Sequence, residues 1–80
     1  MNSNDFLEAR IKLNLKVGDR IKVKLDTEEE IYITFKLLDC NAMNGFIDDY
    51  INIGEIGNRQ DWMEPGYWHL QHIEKIISKL

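Results

Sequence analysis

From Ile21 to Leu37 apolar and polar residues alternate in two runs. Ile21, Val23 and Leu25 are separated by Lys22 and Lys24, and Ile31, Ile33, Phe35 and Leu37 by Tyr32, Thr34 and Lys36. A period of two belongs to a strand with one buried face. The segment therefore predicts two antiparallel strands joined by the acidic loop 26–30. Pairing Leu25 with Ile31 sets Val23 against Ile33 and Ile21 against Phe35, so every apolar side chain falls on one face. A slip of one residue turns that whole set to water, which is why the pattern specifies the register. The other face is then basic: Lys24 lies across from Tyr32, Lys22 from Thr34 and Arg20 from Lys36.

The flanks are less one-sided. Residues 3–9 predict a short helical turn capped by Ser3 or Asn4, with Phe6 and Leu7 inward. Ile11, Leu13, Leu15 and Val17 alternate with Lys12, Asn14 and Lys16 and favour a further strand. A three-residue turn, Gly18-Asp19-Arg20, would join it to the next strand and bring Lys12 and Lys16 beside the basic face. The alternative keeps residues 5–15 helical and starts the sheet at Gly18. Residues 39–45 form a turn rich in Asp, Asn and Gly. In the strand that follows, 46–56, Asp49 shares the parity of Ile47, Ile51 and Ile53, predicting a bulge near Asp48-Asp49. Residues 54–66 read as a loop holding Trp62, and 67–70 as a short strand with Trp68 and Leu70 inward. Ile73, Ile76, Ile77 and Leu80 fit the spacing of an amphipathic helix. They fit equally a tight turn at 71–73 followed by a closing strand. The fold class expected is all-β, with a small helix open at either terminus. About five short strands in a meander leave no room for a crossover helix, and curling into a small antiparallel barrel would remove their exposed edges.

Eighty residues make one domain, 1–80, with a core near the lower limit of self-sufficiency and residues 1–9 as an arm or short helix. No apolar run approaches the ~20 residues of a membrane span, and Met1–Asp5 has neither the basic flank nor the apolar stretch of a secretion signal. A single cysteine, Cys40, cannot form an internal disulfide, so a reducing cytoplasmic setting is expected. The net charge is −4, unevenly spread: residues 1–25 carry +3, residues 26–64 carry −8 and the last sixteen carry +1. Overall acidity argues against bulk nucleic-acid affinity, which depends on neutralising phosphates, but leaves room for a local basic surface.

Groups able to do chemistry are sparse. Cys40 is remote in sequence from both histidines, whereas a thiolate nucleophile needs a positioned base. His69 and His72 would share a metal only on a helix, and no third ligand accompanies them. Asp48 and Asp49 point to opposite faces of an extended strand. The run Glu28-Glu29-Glu30 lacks the spaced oxygens and turn glycine of a calcium loop and reads as a solvated tip. No catalytic residue, metal site or cofactor is expected.

The strings "IKVKL", "DTEEE", "IYITFKLLD" and "CNAMNGFI" occur here in the order of the first motif of the Sm/LSm family, and "LKVGDRIKVKL" and "PGYWHLQHIEKI" are similar to the entry and ending of SH3-like small barrels. The chain thus resembles an Sm-like or related SH3-like small barrel over about residues 17–77. The resemblance implies a loop site at Asp39, Met43 and Asn44, the last two beside an RNA base. The family's strand glycine corresponds to Ile33, and its Arg-Gly pair to the neighbourhood His69-Leu70-Gln71-His72. The sequence therefore favours a non-enzymatic binding module acting by protein–protein contact, with Trp62 and Tyr67 as partner anchors. Small size and an abundance of Ile, Lys and Asn suit an inhibitor or adaptor of the phage or mobile-element type. The basic face of Arg20, Lys22, Lys24, Tyr32 and Lys36 could hold a nucleic-acid backbone, a nucleotide phosphate or an acidic protein surface. One alternative is an Sm-like RNA binder using Lys22, Lys24, Tyr32, Lys36 and Asn44, and another is a homo-oligomer that captures a nucleotide-like anion between its subunits. No membrane partner is expected.

Overall fold

The computed structural model describes residues 1–40 and 49–80. The hairpin forms as its alternation dictates. Strand β1, Arg20–Leu25, pairs antiparallel with β2, Tyr32–Cys40, in the register Ile21 to Phe35, Val23 to Ile33 and Lys24 to Tyr32. The Leu25 amide donates to the Ile31 carbonyl at 2.9 Å and closes the pairing at the acidic loop, whose residues 26–30 are exposed. Ile21, Val23, Leu25, Ile33, Phe35 and Leu37 are all buried.

Strand β3, Tyr50–Gly57, pairs with β2 and contributes Ile51 and Ile53 to the core. It runs further than expected, so the loop spans 58–65 rather than beginning at Gly54. Strand β4, Gly66–His69, pairs with β3. A single 3-10 turn, Leu70–His72, then leads into β5, Ile73–Lys79, which pairs with β1. The strand order is β4-β3-β2-β1-β5.

That order constrains the shape of the sheet. Its outermost strands, β4 and β5, are consecutive in sequence. In a flat sheet their axes would lie four spacings apart, about 19 Å at ~4.8 Å each. The four Cα steps from His69 to Ile73 reach at most ~15 Å. The sheet therefore has to curl, and bulges supply the bend. On β2, Leu38 is the extra residue between the pairs Leu37–Ile53 and Asp39–Asn52; on β3, Glu55 is extra between Phe35–Ile56 and Lys36–Gly54.

Two further bulges on β5, at Glu74 and Ile77, explain the ambiguous C-terminus. Leu25 faces Ile73 and Val23 faces Ile76, so three steps on β5 match two on β1. The helix-like i, i+3 spacing of Ile73 and Ile76 is that of a bulged strand, and the turn-and-strand reading holds over the helical one.

The expected strand over residues 11–17 is corrected: the chain is helical there, as α1, Ser3–Leu13. Its cap is Asn2, not Ser3 or Asn4. The Asn2 side chain accepts from the Asp5 amide while the Asp5 carboxylate accepts from the Asn2 amide, a reciprocal capping box. Asn14 ends the helix in the left-handed region, φ 53°. The alternation was misleading because Ile11 and Val17 are exposed, at 82% and 59%, and Leu15 alone of the four is fully buried. No Gly18-Asp19-Arg20 hairpin forms, and the second neighbour of β1 is β5. The helix seats Phe6 in the core, with Leu7 half-buried beside it in sequence.

The parity of Asp49 has a structural use. Its carboxylate accepts from the Ser3 amide at 2.8 Å and its carbonyl from the Leu70 amide at 2.6 Å. One residue thus ties the start of α1 and the 3-10 turn to the start of β3. The other half of the expected bulge, Asp48, lies outside the described residues. Among the described residues no helix is long and apolar enough to cross a membrane.

Candidate functional site

Two surfaces collect the residues singled out from the sequence. The first is the outer face of the hairpin. Register sets Arg20 opposite Lys36, Lys22 opposite Thr34 and Lys24 opposite Tyr32, and the Lys22 ammonium lies 5.4 Å from the centre of the Tyr32 ring. The neighbouring strands add acids that the hairpin pattern alone does not reveal. Arg20 pairs with Glu55 of β3 and Lys24 with Glu74 of β5. The hydrogen bond from Lys24 holds the Glu74 carboxyl below its ordinary range, and the same bond raises the pKa of Lys24. Lys12 lies on α1 and Lys16 beyond its end, so neither extends the stripe through a paired strand. Lys75 of β5, facing Lys24 across the ladder, is its basic neighbour instead. The stripe exists, with its charges interleaved by carboxylates.

The second surface is an open cleft of about 690 Å³ around β4, within the ~300–1,000 Å³ range of ligand sites. Its aromatic faces come from Tyr50 at the start of β3, Trp62 in the 58–65 loop and Tyr67 on β4. They are 44%, 63% and 76% exposed. Tyr50 and His69 are directly paired across the β3–β4 ladder and meet edge-on, with ring centres 4.9 Å apart. Trp68 faces the other side of the strand, half-buried and 6.5 Å from Phe35, and its indole donates to the Glu64 carbonyl at 3.0 Å. Pro65 and Gly66, the latter at φ +140°, turn the chain into β4 between Glu64 and Tyr67. The lining also includes Leu25 at the end of β1, Asp26 and Thr27 of the loop that follows it, and His72 of the 3-10 turn. Asp26 is fixed there by donating its amide to the His72 carbonyl at 2.9 Å.

The structure thus brings Trp62 and Tyr67 together and adds Tyr50 and Asp26, which the sequence reading did not single out. The cross-strand partnership of Tyr50 with His69 was the missing signal, and it needs the β3–β4 register to be seen. Asp39 is exposed and paired with Asn52 in the β2–β3 ladder, while Met43 and Asn44 lie outside the described residues. Cys40 ends β2 opposite Ile51. The His69 ring nitrogen Nδ1 accepts from the Gln71 amide at 3.0 Å, capping the 3-10 turn. Among the described residues, no three His, Cys, Asp or Glu side chains come together in a way that could hold a metal ion.

Comparison with protein-family models, curated proteins and solved structures returns no match to this chain.

Proposed function

We propose that this chain is a non-enzymatic binding module, an inhibitor or adaptor that works by docking a protein partner at the β4 cleft. One observation carries the reading: Tyr50, Trp62 and Tyr67 stand exposed around a single concave surface instead of joining the core. Large aromatic side chains that gather at the surface rather than scatter singly are characteristic of contact sites. Their supports are rigid, since Tyr50 and Tyr67 sit on paired strands and Trp62 precedes the buried anchor Met63. The hairpin's basic face supports RNA or nucleotide binding less well, because Glu55 and Glu74 occupy space and charge beside Arg20 and Lys24. Self-association is the competing form of protein contact: β4 and β5 each have only one strand neighbour among the described residues.

The test compares affinity capture from native lysate by the wild-type chain, by Trp62→Ala/Tyr67→Ala and by Lys22→Ala/Lys36→Ala. The proposal expects one stoichiometric partner that the aromatic variant loses and the lysine variant keeps. Loss of that partner in the lysine variant alone would overturn it. So would recovery of RNA by the wild type in place of a protein.

A further inference from the structure

We infer that the β4 cleft receives an arginine or lysine side chain carried on an extended segment of the partner. This rests on the protein-contact reading and adds the chemistry of the contact. The charge of the cleft is one-sided. Asp26 and Glu64 both line it, beside His69 and His72, and among the described residues its lining includes neither lysine nor arginine. A phosphate or carboxylate entering it would meet like charge, whereas a guanidinium or ammonium would meet two carboxylates. The rings around it act in the same sense. A cation over the face of Trp or Tyr is attracted by the ring quadrupole, and Tyr50, Trp62 and Tyr67 are exposed around the cleft. The chain makes the same interaction internally, with Lys22 over Tyr32. Beyond the cleft, the loop that begins at Asp26 continues into exposed Glu28, Glu29 and Glu30, and residues 26–64 carry net charge −8. A field of that sign draws a basic segment toward the site and raises its association rate.

The strand edge gives the reason for an extended segment. The Leu70 amide bonds to the Asp49 carbonyl, which fixes the phase of the β3–β4 ladder. Antiparallel pairs alternate between hydrogen-bonded and non-bonded. Trp68 and Gly66 therefore spend their backbone groups on β3, and Tyr67 and His69 turn theirs to the edge that no other described strand pairs. Those two residues also line the cleft. A peptide laid along β4 would bond to this edge and place alternate side chains over the rings. A free cation would gain only the second contact.

The test uses blocked seven-residue peptides in which arginine alternates with threonine, and a matched peptide with citrulline, the uncharged analogue, at each arginine. Binding to the full chain is followed by amide and indole NMR shifts. The arginine peptide is expected to shift the Trp62 indole and the amides of residues 66–69. The citrulline peptide should bind at least ~10-fold more weakly, equivalent to about 1.4 kcal/mol. Asp26→Asn/Glu64→Gln should weaken the arginine peptide by a similar factor, with the amide spectrum elsewhere unchanged. Equal binding of the two peptides overturns the inference, as do shifts centred on Lys22, Tyr32 and Lys36 or no shift at millimolar peptide. If any of these occurs while partner capture still depends on Trp62 and Tyr67, the cationic chemistry is wrong and the protein-contact reading stands. If arginine-selective shifts occur at the cleft, the inference stands even where capture fails.

Discussion

Ile33 and Tyr32 are adjacent on β2 and face opposite ways, so truncating each in turn measures the register of the central hairpin. Ile33 is fully buried and paired with Val23, whereas Tyr32 is 39% exposed and paired with Lys24. Ile33→Ala removes about three methylene equivalents, ~2.4 kcal/mol of transfer free energy at ~0.8 kcal/mol each. The space left among Val23 and the other core residues adds a cavity cost, for a total of about 3–4 kcal/mol within the usual ~2–5 range. Tyr32→Ala loses an exposed cation–π contact with Lys22 and partial burial, together about 1 kcal/mol. Folding stability for a chain of this length is ~4–12 kcal/mol, so both variants should retain a folded baseline if the wild type lies in the upper part of that range. Unfolding in guanidinium chloride followed by tryptophan fluorescence reads the difference. With a slope of ~2 kcal/mol/M, Ile33→Ala should lower the midpoint by about 1.5–2 M and Tyr32→Ala by about 0.5 M. Equal losses, or a larger loss for Tyr32→Ala, would refute the register and the basic outer face with it.

Gly57 lies opposite Thr34, and a Cβ there would meet the Thr34 hydroxyl at 2.6 Å. Gly57→Ala should cost about 1–2 kcal/mol and Thr34→Ala should restore most of it, a coupling that a double-mutant unfolding cycle detects. Asp49→Ala removes the acceptor for the Ser3 amide and should cost about 1 kcal/mol, with loss of helical circular dichroism before loss of the sheet. Acid stability follows from two depressed carboxyls: Asp19, held down by the Lys16 amide and by Lys79, and Glu74, held down by Lys24. Their stabilisation is complete above the unfolded carboxylate range, near pH 4, and is lost as pH falls through the lower folded values. Asp19→Asn/Glu74→Gln should therefore flatten the thermal-stability profile below about pH 4.5. Lys24 titrates the other way: its raised pKa adds stability below its unfolded value that disappears at strongly alkaline pH.

How far the fold could be read depended on whether a local pattern had one physical cause. The hairpin did, because Ile21 to Phe35 alternate on one buried face and a slip of one residue would turn that whole set to water. The segment 11–17 did not: its alternation is formed by the exposed end of a helix and a linker, and the deciding signals were Asn2-to-Asp5 capping and the partner that β5 offers β1. The C-terminal isoleucines imitated a helix because a bulge shifts their period from two to three. Asp49 looked misplaced on its strand only while its partner, the Ser3 amide, was distant in sequence. The candidate site was half legible. Aromatic residues at 62 and 67 stood out by type, but Tyr50 and Asp26 join them through long-range pairing, and Glu55 and Glu74 temper the basic face for the same reason.

Site-specific photocrosslinking in cells that express the chain tests most directly which surface is used. A benzophenone side chain replaces Trp62 in one variant, Tyr67 in a second and Lys36 in a third. The account predicts one discrete protein adduct from positions 62 and 67, absent from position 36. Adducts confined to position 36, or formed with nucleic acid, would contradict it.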